Sequence, residues 1–293
     1  MRLLNTNTLV LHSFVQRIPP YVILSHTWGD GEVTFDDIHQ DHAKNMQGYS
    51  KIIKCCEQAV RDRYKWTWID TCCIDKRSSS ELSEVINSMY KWYWDAEIYY
   101  AFLSDLTSNL DNFHVSDLRL VRWFTRGWCL QELLAPAVVE FYNADWVYMG
   151  TKSSAVTNIS ARTGIDKKYL SDRHSIEQAS IATRFSWASC RETTRPEDIA
   201  YCLLGLVDVN MPLLYGEGDK AFYRLQLELV QKSNEHTIFA WNPQEFRASH
   251  DRLGMLAPHP LAFSNASRIN VRNRDDIKTF EMTNSGLRIT LNI

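Results

Sequence analysis

Short apolar runs alternate with stretches of helical period along the first half of the chain. Tyr21–Ser25 follows Pro19-Pro20 and ends at a turn containing Gly29-Asp30-Gly31, the pattern of a short buried strand. Between Tyr49 and Arg63, the apolar residues Ile52, Ile53, Cys56, Ala59 and Val60 recur with the period of an amphipathic helix. Trp66–Asp70 predicts a second buried strand. Ser79 or Ser80, followed by Glu84, gives a helix start, and Leu82, Val85, Ile86, Met89, Tyr90 and Tyr93 form the apolar face behind it. Ile98–Leu103 predicts a third strand, residues 105–122 a loop rich in Asp, Asn and Ser, and Gly127–Leu134 a short helix stopped by Pro136. Ala137–Tyr142 predicts a fourth strand.

Strands separated by helical patterns imply βαβ units and a parallel sheet covered on both faces. The strands are near-continuously apolar, as two covered faces require. The expected fold class is therefore α/β, with a flavodoxin-like parallel sheet flanked by helices. After about residue 145 the helical period dominates, over 152–163, 176–189, Pro196–Val207 and Asp219–Lys232, while Thr237–Trp241 and Gly286–Ile293 read as strands. Three segments follow: an α/β core over 1–148, a helical elaboration over 149–235 and a β-containing part over 236–293. The last strand pattern runs up to the final residue, as in a piece of a longer protein.

Composition narrows the chemistry. Apolar residues make up 45% and charged residues 23% of the 293, and the net charge of −3 comes with no basic run. Nothing here fits a nucleic-acid partner. No apolar run approaches the ~20 residues of a spanning helix, and Met1–Thr8 lacks the apolar stretch of a secretory signal. A soluble cytoplasmic protein without a membrane partner is expected. The seven cysteines are odd in number, include the adjacent pairs Cys55-Cys56 and Cys72-Cys73, and have no CxxC spacing. Reduced thiols and no bound metal are the expectation.

Three strings carry a resemblance. They are Tyr21-Val-Ile-Leu-Ser-His-Thr-Trp-Gly-Asp30, Trp68-Ile-Asp-Thr-Cys-Cys-Ile-Asp75 and Arg122-Trp-Phe-Thr-Arg-Gly-Trp-Cys-Leu-Gln-Glu-Leu133. In this order they resemble the three blocks of the heterokaryon-incompatibility (HET) domain family. Ser186–Arg195, Asp198–Tyr201 and Leu214–Gly218 extend the likeness to most of residues 1–235. The resemblance implies fungal nonself recognition, with cell death triggered when an upstream activating domain or partner protein engages the domain. It also implies a TIR-like core, in which Trp128-Cys-Leu-Gln-Glu132-Leu is similar to the TIR motif whose Glu is catalytic in NAD-cleaving enzymes. One departure is the His26-Thr27-Trp28 that follows Ser25, where TIR domains carry an aromatic residue and Arg.

Glu132 lies four positions after Trp128, so a helix puts both on one face. That face offers a carboxylate beside an aromatic plate; the alternative is a solvated Glu near a helix N-terminus. Cleavage of a nicotinamide–ribose bond needs no metal and no general acid, because nicotinamide leaves neutral. One carboxylate, Glu132, can stabilise the oxocarbenium-like transition state. Ser25, His26, Trp28 and Gly29 follow the first strand, at the edge where open parallel sheets bind ligands. Trp28 is a candidate stacking plate for a base, or a core residue, and Gly29 a point of backbone approach to phosphate. Asp70 is a candidate ribose ligand, or a cap of the next turn. The expected ligand is NAD as substrate, or a related nucleotide, with self-association completing the site. The competing reading is a non-enzymatic scaffold that recruits partners. Cys129 lacks a local base and reads as core, as does most of the aromatic cluster Tyr90, Trp92, Tyr93, Trp94, Tyr99 and Tyr100.

Overall fold

In the computed structural model, residues 1–106, 118–119, 121–245, 254–269, 280–284 and 286–288 are described, and they divide into two compact units, Met1–Arg173 and His174–Ile293. The first unit is built on a seven-stranded sheet. Its strands are β1 (Arg2–Asn5), β2 (Leu11–Ser13), β3 (Val22–His26), β4 (Trp66–Ile69), β5 (Ile98–Leu103), β6 (Val139–Asn143) and β7 (Tyr148–Thr151), in the order β2-β1-β4-β3-β5-β6-β7. The four central strands are parallel, and the outer strands at both ends are antiparallel. All four expected strands are present and form this parallel centre. Most of the expected 105–122 loop lies outside the described residues.

Within the parallel centre the chain order is 2-1-3-4, so the direction of winding reverses between β3 and β5. Helix α1 (Tyr49–Arg61) joins β3 to β4, α2 (Ser79–Asp95) joins β4 to β5, and α3 (Cys129–Leu134) lies between β5 and β6. Two directions of winding with one handedness put α1 on one face and α2 and α3 on the other. Side chains confirm the division. Tyr100 Oη donates to Asp62, the residue that closes α1, at 2.5 Å. Trp68 and Tyr99 pack edge-on against Trp92 and Tyr93 of α2.

Local chemistry explains most boundaries. Helix α2 is capped by Ser78, one residue before the expected Ser79 or Ser80, because Ser78 Oγ accepts the Glu81 amide at 3.2 Å. The buried stripe of α1 is Ile52, Cys55, Cys56 and Ala59, while Val60 turns outward and is exposed. The large aromatic side chains Tyr93, Tyr99 and Tyr100 are almost wholly buried, and Tyr90 and Trp94 are half-buried. Burial of each is worth roughly 1.5–3 kcal/mol. None of the seven cysteines is in a disulfide, and six are buried.

The second unit contains α6 (Ile181–Ser186), α7 (Asp198–Tyr201), α8 (Lys220–Lys232) and the hairpin β8 (Glu281–Thr283) and β9 (Gly286–Arg288), after α4 (Val156–Thr163) and α5 (Lys167–Ser171) of the first. The strand expected at Thr237–Trp241 does not form; His236–Phe239 is a 3-10 turn. The Glu235 carboxylate explains this by taking both the Thr237 hydroxyl and the Ile181 amide, which holds the backbone in a turn.

Candidate functional site

Successive residues of a strand face opposite sides of the sheet, so Ser25 and His26, at the carboxyl end of β3, belong to different clusters. Ser25 pairs in register with Ala101 and faces α2 and α3; His26 pairs with Phe102 and faces α1. As neighbours in one motif the two are expected at one site, whereas the strand divides them across the sheet.

On the α2–α3 side, Ser25 Oγ donates a short hydrogen bond to Glu132 Oε2 and accepts the indole N–H of Trp123 at 2.6 Å. Trp123 is fully buried and its N–H must find an acceptor there. Tyr99 is also in hydrogen-bond contact with Ser25. Burial, and then the neighbouring Glu132 charge, hold the Tyr93 and Tyr99 hydroxyls well above the ordinary phenol pKa. Glu132 thus shares a buried layer with the hydroxyls of Ser25, Tyr93 and Tyr99. It is only 9% exposed, more enclosed than the wet cleft that a surface WxxxE motif suggests. The reason is the helix: all six residues of α3 are buried. Trp128 precedes this helix and is half-buried.

The α1 side holds charges that the sequence reading does not single out. Glu32 Oε1 accepts the Gly29 amide at 2.9 Å and pairs closely with Lys51 of α1. The amide expected to approach a phosphate is thus engaged by Glu32. His26 Nε2 lies 3.7 Å from Glu32 Oε2 and 4.0 Å from Asp70 Oδ1, and the imidazole is wholly buried. Among the described residues neither ring nitrogen has a hydrogen-bond partner. Burial, with the Lys51 ammonium nearby, pushes the imidazole down to about 3 against the opposing pull of Glu32, so His26 is neutral.

Asp70 follows β4 and links this cluster to the rim. Its Oδ2 accepts the indole N–H of Trp28 at 2.7 Å, and the Thr71 amide also bonds to it. Burial raises its carboxyl pKa, opposed by Lys76 and by Trp28. Trp28 is 45% exposed, so it is a surface plate and not a core residue. The Lys76 ammonium stands 3.2 Å from the centroid of its ring. Asp75 is occupied with Arg77, which donates to it at 3.0 Å, and takes no part in the edge. Cys129 is buried, in keeping with the core reading.

The Heterokaryon incompatibility protein (HET) family matches residues 21–122, from the start of the first string to that of the third. Over 218 residues, 72% of the chain, the sequence is 44% identical to Vegetative incompatibility protein HET-E-1 of Podospora anserina. The chain belongs to the HET family. It spans 16% of the length of that relative. No solved structure matches it. Within this HET domain the three strings supply two clusters at the carboxyl edge of the sheet: Ser25 of the first with Trp123 and Glu132 of the third, and His26 and Trp28 of the first with Asp70 of the second. Glu32, Lys51 and Lys76 are the functional candidates the sequence reading missed. Glu32 sits in a Gly-containing turn and Lys51 on a helix, where charged residues ordinarily face water. Among the described residues no helix is long and apolar enough to cross a membrane, and no group of His, Cys, Asp or Glu is arranged to hold a metal.

Proposed function

We propose that this HET domain is a cell-death effector of fungal heterokaryon incompatibility that cleaves the nicotinamide–ribose bond of NAD. Support for the biological role comes from the family and from the vegetative incompatibility protein it resembles. The observation that carries the chemistry is the Glu132 carboxylate, fixed by Ser25 at the reversal point between β3 and β5. Ligands of open α/β sheets bind at that point, outside the carboxyl ends of the strands. A TIR-like relationship of the core agrees with the 2-1-3-4 order of the parallel strands.

In this reading the C1′–N bond breaks and its electron pair leaves with neutral nicotinamide. Glu132 stabilises the positive charge that develops on the ribose. Water adds to C1′ and gives up a proton, leaving ADP-ribose. Ser25 holds the carboxylate in place, and Asp70 and Trp28 offer a ribose acceptor and a stacking plate at the rim. Self-association activates the domain, and an upstream domain or partner protein supplies the trigger.

A second reading has one observation behind it. Glu132 is nearly enclosed and bonded to Ser25, as a structural tie in a partner-recruiting scaffold would be. Nicotinamide release by the purified protein, assayed dilute and concentrated, separates the two. The enzyme reading expects release that rises more steeply than linearly with protein concentration. No release at any concentration, from a folded protein, leaves the scaffold.

A further inference from the structure

Lys76 is an exposed ammonium that rests on an aromatic ring in place of a carboxylate. Among the described residues, no acid comes within ion-pair distance of it. Partial burial of the ammonium lowers its pKa, and Asp70 and Glu32 attract it at longer range without reversing that. The Trp28 ring under it is 45% exposed, and that ring is tethered by its own N–H to Asp70. A cation over an exposed ring is worth only ~0.5–1 kcal/mol. An ammonium on a phosphate makes the stronger, charge-assisted contact. The arrangement is therefore a cation parked where a better partner can draw it away.

The second observation lies directly beneath. His26, with its imidazole wholly buried, aims Nε2 at Asp70 Oδ1 from 4.0 Å and has no hydrogen-bond partner on either ring nitrogen among the described residues. When a ligand shifts Trp28, Asp70 loses the indole N–H. A neutral imidazole N–H within a small movement of the same carboxylate can replace it. A buried donor without an acceptor is costly in the resting state, and this exchange gives it a use.

We propose that Lys76 is the phosphate anchor of the site: a nucleotide ring takes the ammonium's place on Trp28, and the ammonium moves onto the ligand's diphosphate. This rests on reading the carboxyl edge of the sheet as a nucleotide site, and it commits to a nucleoside diphosphate moiety as the recognised chemistry. Phosphate recognition is then a property of the Asp70–Lys76 segment, not of the Gly29 turn, whose amide Glu32 already engages.

The test is calorimetric titration of the purified chain with adenosine, ADP and ADP-ribose, for the wild type, Lys76→Met and Lys76→Arg. Met keeps the stem and removes the charge, and because Lys76 is exposed both variants are expected to fold, as circular dichroism would check. Lys76→Met should lose about tenfold or more in affinity for ADP and ADP-ribose while binding adenosine as the wild type does. Lys76→Arg should stay close to wild type. Unchanged ADP affinity in Lys76→Met overturns the proposal, as does an equal loss for adenosine, or a wild type that binds no phosphorylated ligand. Nicotinamide release is read separately. Lys76-dependent ADP binding without NAD cleavage refutes the enzyme reading alone, and NAD cleavage without Lys76-dependent binding refutes the anchor alone.

Discussion

Lys152 fastens the short helix that carries Glu132, and its energetics can be worked from its surroundings. The side chain is buried, and Nζ donates to the carbonyls of Leu133, at 3.1 Å, and Pro136, at 2.8 Å, which bracket the end of α3. Burial, with Arg173 as a further cation nearby, pushes the ammonium down from 10.5 to about 8. The unfolded chain therefore holds this proton more tightly than the folded one. Below the folded pKa of about 8 the full penalty is present, and it disappears as pH rises to 10.5. The shift is 10.5 minus 8, and at 1.36 kcal/mol per unit it costs about 3 kcal/mol. Between pH 7 and pH 9.5 the wild type should recover about 2 kcal/mol of this. Other groups oppose it: burial raises the Cys55 thiol to about 12 and the Tyr21 hydroxyl also upward, so they erode stability as the unfolded thiols and phenols ionise. Those groups are shared with Lys152→Met, so the difference between the two proteins isolates Lys152. Urea unfolding of both at the two pH values is the assay. The wild type should gain about 2 kcal/mol relative to Lys152→Met on going to the higher pH. A difference that stays constant with pH would refute the reasoning.

Ser25→Ala deprives the Trp123 indole of the Ser25 acceptor and Glu132 of the Ser25 donor; chemical denaturation should register a loss of about 1–3 kcal/mol. His26 should remain neutral across physiological pH, so its imidazole NMR resonances should not titrate between about pH 5 and 8, where an ordinary histidine does. In the second unit, the Glu197 carboxylate accepts the amides of Gly216 and Gly218, at 2.7 and 3.0 Å, where both glycines have positive φ. Both amides bond to Oε1, so Glu197→Gln keeps that acceptor and loses the charge that strengthens the two bonds; limited proteolysis should show faster cleavage near residues 212–218 at unchanged ligand affinity.

The parallel centre of the fold was legible because its strands are apolar on both faces and its helices carry regular stripes. The edge strands were not. Arg2–Asn5 and Leu11–Ser13 are short and interrupted by polar residues, and Tyr148–Thr151 contains Gly150, at a φ of +124°. Their strand state comes from pairing, of β1 with β4, β2 with β1 and β7 with β6, which the local pattern does not record. Ser25 and Glu132, 107 positions apart, were each legible as candidates from their motifs; the hydrogen bond that joins them is a product of the fold. Period-two alternation also carries the separation of His26 from Ser25, once β3 is placed. The Glu32–Lys51 pair was invisible, because a turn acid and a helix lysine look solvated until the tertiary structure brings them together.

The most direct test of the central claim is the Glu132→Gln protein. Gln keeps the size and an acceptor for the Ser25 hydroxyl, so thermal stability should change by no more than about 1 kcal/mol even at this enclosed position. It removes the charge assigned to the developing oxocarbenium ion. Nicotinamide release should fall by about 10²–10³-fold, and killing of host cells expressing the protein should fall with it. A folded Glu132→Gln protein that still kills cells while their NAD stays intact would contradict the account.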